Sequence, residues 1–225
     1  MTSLKLSPSD LTFLWDDCPR CFYLKVALGI NRPPVPFPGI FSNIDLLMKR
    51  LFAGKNTSEF SPDLPSGKVL FSGKWVESTP IHPAESPLSC YIKGIFDSVL
   101  QFDDGSYAVV DFKTSEPNPK HVEFYGRQLR AYAYALEHPA PLKLALSPIT
   151  RLGLLCVEPI DIDRDEHGRI RYVGDVTWME VPRDEKGFLN FLGQVMQVLS
   201  APEPPAPAEK CPFCKYREEA RAHGY

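Results

Sequence analysis

Between Tyr91 and Glu137 the sequence runs through two β-rich segments, a polar loop and a helical pattern, in an order that leaves few ways to fold. Y-I-K-G-I-F-D-S-V-L-Q-F and S-Y-A-V-V-D-F-K-T flank Asp103-Asp104-Gly105, and Asp-Gly between two such runs predicts a β-hairpin. The run from His121 to Glu137 predicts the helix. Asp97 falls on the first predicted strand, Asp111 and Lys113 on the second, and Gln128 and Tyr132 on the helix. Residues i and i+2 of a strand share a face, so Asp111 and Lys113 point the same way. Two acids and a lysine flanked by Val and Phe are costly to hold there unless a divalent cation offsets them.

The hairpin register decides whether Asp97 joins Asp111. With a two-residue turn at Asp104-Gly105, Asp97 lies opposite Phe112 and points to the other face. With a three-residue loop, Asp103-Asp104-Gly105, or with a bulge, it lies opposite Asp111 and shares its face. The bland alternative is a solvated strand face carrying acids by chance.

A second pattern joins the two ends of the chain. Cys18-Pro-Arg-Cys21 near the start recurs as Cys211-Pro-Phe-Cys214 near the end. Two C-x-x-C pairs, with no secretory signal and no βαβ setting for a redox motif, indicate metal binding. Four thiolates serve Zn²⁺ or an iron–sulfur cluster alike, and the spacing separates neither. Either one staples the termini into a metal cap built from residues 1–30 and 208–225. Cys90 and Cys156 stand alone in apolar runs and read as core.

Elsewhere, Ser7 and Pro8 predict a helix start, with Leu11, Leu14 and Trp15 inward. Asn31 to Gly39 is a proline-rich connector, and Ile40 to Phe52 predicts a helix burying Ile44, Leu47, Met48 and Leu51. Lys68 to Val76 alternates as a strand, and the run to Pro87 reads as loop. Arg151 to Val157 predicts a buried strand, Asp161 to Gly168 an acidic turn and Arg169 to Val181 the return strand. A helix capped by Asp184 runs to about Leu199, and Pro202 to Ala208 forms a spacer that returns the last cysteines to the first. The expected fold is α/β, a mixed central sheet flanked by helices, in one domain over residues 1–225 with its core at about 40–200.

The net charge of −3 excludes an indiscriminately basic coat, although residues 1–55 carry seven Lys or Arg against four Asp. No apolar run approaches the ~20 residues that cross a bilayer, and no leader pattern opens the chain, so it reads as cytoplasmic.

Gly94-x-x-Asp97, Val-Val-Asp111-Phe-Lys113-Thr and Gln128-Leu-x-x-Tyr132 together resemble the PD-(D/E)XK nucleases of the RecB type. The resemblance implies a restriction-endonuclease-like fold and a metal-dependent DNA nuclease, exonuclease-like on single strands or ends, with partners in repair or foreign-DNA processing. It also implies that Asp97, Asp111 and the Phe112 carbonyl hold Mg²⁺ or Mn²⁺ and that Lys113 orients or activates the attacking water. Gln128 and Tyr132 then support the site or touch the substrate backbone, and Arg127 or Arg130 is available to a phosphate. Where such nucleases carry a histidine or glutamate on the helix before the sheet, this chain has Asn43 or Asp45, and Asp45 is a further candidate ligand. CRISPR-associated four-cysteine exonucleases and AddB-type helicase–nucleases flank the same core with cysteines. The resemblance to them implies a [4Fe–4S] cluster on Cys18, Cys21, Cys211 and Cys214. The alternative function is a nuclease-derived module that binds nucleic acid or scaffolds without cutting.

Overall fold

The computed structural model describes residues 3–36, 38–83 and 86–224. Phe37 of the proline-rich connector and Ala84 and Glu85 of the predicted loop lie outside them. Two sheets form the centre. One has the order β1-β4-β3, from β1 (Ser3–Leu6), β3 (Trp75–Glu77) and β4 (Ser89–Ile95). The other has the order β2-β5-β6-β7-β8, from β2 (Gly67–Ser72), β5 (Ser98–Phe102), β6 (Tyr107–Lys113), β7 (Ile149–Arg164) and β8 (Ile170–Val181).

The two sheets are one curled surface. β2 and β3 run antiparallel to β5 and β4 in a continuous register that bends where Gly73 and Asp97 face each other. At the bend the Gly73 amide donates to the Asp97 carbonyl at 3.0 Å and the Phe96 amide to the Lys74 carbonyl at 3.3 Å. Gly73, at φ +64°, takes the left-handed conformation that only glycine adopts freely. This corrects two expectations. Lys68–Val76 is two strands rather than one, and Tyr91–Phe102 is also two, which leaves Asp97 in the bend and not on a strand. Apolar alternation is continuous through both bends, so the pattern carries no mark of the change of sheet.

Helices cover both faces of the five-stranded sheet. α4 (Pro119–Glu137) and α5 (Glu185–Leu199) bury Leu129, Leu136, Phe188 and Leu192 against Val99, Val109, Leu152 and Leu154. α2 (Pro19–Leu28), which follows the short α1 (Trp15–Asp17), adds Phe22 to that layer. Asn118 caps α4 and Asp184 caps α5, each side chain accepting from a backbone amide of the first turn.

α3 (Gly39–Phe52) covers the other face, where Met48 and Phe52 pack on Phe60, Phe112 and Leu155. Leu47 and Leu51, expected inward, are 58% and 64% exposed. The covered stripe is Ile44, Met48 and Phe52, a single i, i+4 row, and only that row packs in the cluster with Phe60, Phe112 and Leu155. The acidic turn is likewise shorter than expected. β7 continues to Arg164 and pairs with β8 as a projecting arm, in which Arg171 binds both oxygens of Asp163, and the reversal is held by Asp165 and Gly168 (φ +78°). Among the described residues no helix is long and apolar enough to cross a membrane.

Candidate metal and nuclease site

The loop between β5 and β6 has three residues, Asp103-Asp104-Gly105, with Gly105 left-handed at φ +85°. Phe102 and Ser106 close it, the Phe102 amide donating to the Ser106 carbonyl at 2.9 Å. Register then runs Gln101–Tyr107 to Ser98–Val110, and the next step sets Asp97 opposite Asp111 on the α4 face. The chain bends away at Asp97, so the Phe112 amide has lost its strand partner and donates to Asp97 Oδ2 at 3.0 Å. The N–H and C=O of one strand residue point the same way, so the Phe112 carbonyl also faces the Asp97 edge.

Asp111 is 2% exposed. Gln128 Nε2 donates to its Oδ1 at 3.1 Å, and Lys113 pairs with its Oδ2 while lying 3.9 Å from the centre of the Tyr125 ring. Burial pushes the Asp111 carboxyl up to about 7; Lys113 opposes that shift and Asp97 adds to it. A buried carboxylate facing a second one, with a carbonyl alongside, is a hard-oxygen donor set that suits Mg²⁺ or Mn²⁺.

Tyr132 does a different job from Gln128. Its hydroxyl donates to the Ile95 carbonyl at 2.6 Å, so it braces the bend rather than touching either acid. Gly94 makes room for it: a Cβ there would stand 2.8 Å from Pro8 Cδ and 3.2 Å from Tyr132 Cε1. Thus the glycine, the acid and the tyrosine of the motif are tied together by one packing constraint.

Lys49 had no place in the sequence reading. It reaches round the sheet end from α3, placing Nζ 2.8 Å from both Asp97 Oδ1 and Asp45 Oδ2. Asp45 therefore meets the site through Lys49. The i, i+4 spacing of Asp45 and Lys49 was readable as a helical ion pair, but not its third member. A groove of about 360 Å³, lined by Phe41, Asp45, Met48, Phe112, Lys113 and Thr114 among others, opens beside this cluster.

Both arginines expected at a phosphate make contacts within the protein. Arg127 binds both oxygens of Asp16 at 2.8 and 2.6 Å, donates to the Leu11 carbonyl, and lies over Phe191. Arg130 donates twice to the Pro182 carbonyl, at 3.1 and 3.0 Å. Both clamp α4 to its neighbours, a role that sequence spacing cannot distinguish from ligand binding.

The four terminal cysteines form a second centre. Cys18 and Cys211 cap α2 and α6 (Pro212–Ala222), with Cys21 and Cys214 in the first turn of each. All four are buried, and their sulfurs lie within 4.8 Å of one another, able to hold a metal. Burial works against ionisation of Cys18, but the Ala208 and Cys21 amides and the neighbouring thiols bring it down to about 7. Arg32, absent from the sequence reading, donates to Cys211 Sγ at 3.5 Å, pairs with Asp17 and stacks over Phe213.

With this geometry in place, the sequence match becomes decisive. The family model for the PD-(D/E)XK nuclease superfamily matches residues 66–218. The chain belongs to that superfamily. In this PD-(D/E)XK protein the matched span carries both acids, Lys113, Gln128 and the second cysteine pair, while Lys49, Cys18 and Cys21 lie before it. No curated protein matches the chain. The solved structure of SSO0001 is similar at 16% identity and a TM-score of 0.49, over 88% of this chain and 77% of that one.

Proposed function

We propose that this protein is a Mg²⁺- or Mn²⁺-dependent DNA nuclease, exonuclease-like on single strands or free ends, serving repair, recombination or foreign-DNA processing. The observation that carries the reading is the register that sets Asp97 opposite Asp111, with Lys113 on the same face. Asp97, Asp111 and the Phe112 carbonyl hold the ion in this reading. A divalent ion bound there acidifies a water and offsets charge developing on the phosphate.

The protein's own residues do the rest. Gln128 holds Oδ1 of Asp111 and leaves that carboxylate one orientation. Lys113, buried against Tyr125, keeps its ammonium beside the acids, positioned to orient the attacking water or to face a phosphate oxygen. Tyr132 fixes the bend from which Asp97 projects. Burial of these groups favours a strand threaded along the α3 groove over a duplex laid on an open surface.

End-labelled linear single-stranded DNA, circular single-stranded DNA and duplex should be incubated with Mn²⁺ and with Mg²⁺. Linear single strands should shorten from an end and circles should persist. Asp111→Ala and Lys113→Ala should each remove that activity. Cleavage that survives both changes, or no metal-dependent cleavage of any substrate, overturns the proposal.

A further inference from the structure

The cysteine centre is separate from the acidic site and its metal can be read independently of the nuclease proposal. The two C-P-x-C segments have the same local build. A cysteine caps a helix, proline takes the first helical position, and the second cysteine follows in the first turn. Each helix therefore aims its free amides and the positive end of its dipole at its own pair of sulfurs, which favours thiolates. The spacer before α6 returns one pair to the other, and the Ala208 amide donates to Cys18 Sγ at 3.5 Å.

The sulfur spacing then discriminates between metals. Cys18 and Cys214 are 3.8 Å apart, Cys21 and Cys211 are 3.8 Å apart, and Cys21 and Cys214 are 3.6 Å apart. These are van der Waals contacts between sulfurs. All four sulfurs lie within 4.8 Å of one another, and a tetrahedron with edges in that range has its centre about 2.3–2.9 Å from each corner, a range that starts at the zinc–thiolate bond length. In a [4Fe–4S] cluster each thiolate binds its own iron, and four irons and four sulfides occupy the space between the ligands. Sulfurs no more than 4.8 Å apart, three pairs of them in contact, leave no room for those eight atoms. The resemblance to four-cysteine iron–sulfur nucleases implied such a cluster, and these residues do not fit it.

Arg32 offsets part of the charge of such a centre. Four thiolates around one divalent ion leave two negative charges, and the Arg32 guanidinium lies against Cys211 Sγ with its own position fixed by Asp17 and Phe213. We infer that Cys18, Cys21, Cys211 and Cys214 hold a single tetrahedral Zn²⁺ that staples the two ends of the chain.

The test is to express the full chain with iron and zinc both supplied, purify it without oxygen, and measure metal content, visible absorption and zinc-edge X-ray absorption. The expected protein is colourless, holds one zinc per chain after gel filtration, and shows four sulfur neighbours at about 2.3 Å. Cys21→Ser and Cys211→Ser should each lower the zinc content; if either fails to fold, the X-ray absorption of the unaltered protein still decides. About four irons per chain with broad visible absorption overturns the inference, as does one iron per chain or no retained metal.

Discussion

Asp97 and Asp111 oppose each other across the β5–β6 register, but only Asp111 belongs to a strand; Asp97 hangs from the bend where the chain passes between two sheets. The pair thus combines a fixed partner with one whose position depends on how sharply β4 turns into β5.

Asp111→Asn should uncouple stability from metal. In the ion-free protein the variant removes a disfavoured buried carboxylate but leaves the Lys113 ammonium without its partner, so the unfolding temperature should fall. Added Mn²⁺ should raise the unfolding temperature of the native protein and not that of the variant, through ligand linkage. Equal shifts in both would place the ion elsewhere.

Lys49 competes with any cation at Asp97. Lys49→Met should therefore lower the Mn²⁺ concentration needed for half-maximal cleavage several-fold, while raising KM for DNA through loss of a positive charge beside the groove. A metal titration that does not move would make Lys49 a structural tie between α3 and the bend.

Arg127→Ala should cost about 1–2 kcal/mol of stability, because a partly exposed bidentate pair, a backbone hydrogen bond and ring packing are lost together. A double-mutant cycle with Asp16→Ala should recover a coupling energy between them. The slope of DNA affinity against salt should stay as in the native protein; a slope shallower by about one unit would return Arg127 to the phosphate.

Gly94→Ala is expected to destabilise by about 1–3 kcal/mol, since its methyl group meets Pro8 and the Tyr132 ring. Cleavage should fall as well, because Tyr132 braces the bend that carries Asp97. Replacing Tyr132 by a smaller residue in the same chain should recover part of the stability but not the activity. Full activity in Gly94→Ala would show that the bend tolerates displacement.

Local chemistry made much of this protein readable from its residues. Asp-Gly and its flanking alternation mark the hairpin, Asp184 marks a helix start, and the C-P-x-C pairs mark a shared centre, because each depends on neighbours a few residues apart. The bend at Asp97 was hidden because apolar alternation is the same on both sides of it, and only pairing partners distinguish one sheet from the next. The partners of Lys49, Arg32 and Arg127 were hidden for a related reason: a charged side chain on an amphipathic helix or a loop looks solvated until the fold sets an acid or a sulfur against it. Leu47 and Leu51 differ from expectation because the helical period states which residues share a face, while the tertiary neighbours decide how much of that face is covered. The sequence alone determined which residues carry oxygen and sulfur donors and which ones alternate. Tertiary structure alone decided that Asp97 faces Asp111, and that four sulfurs 190 and more residues apart in pairs close to contact. Those distances depend on a three-residue loop, a glycine bend and a proline spacer acting together, and no single segment contains them.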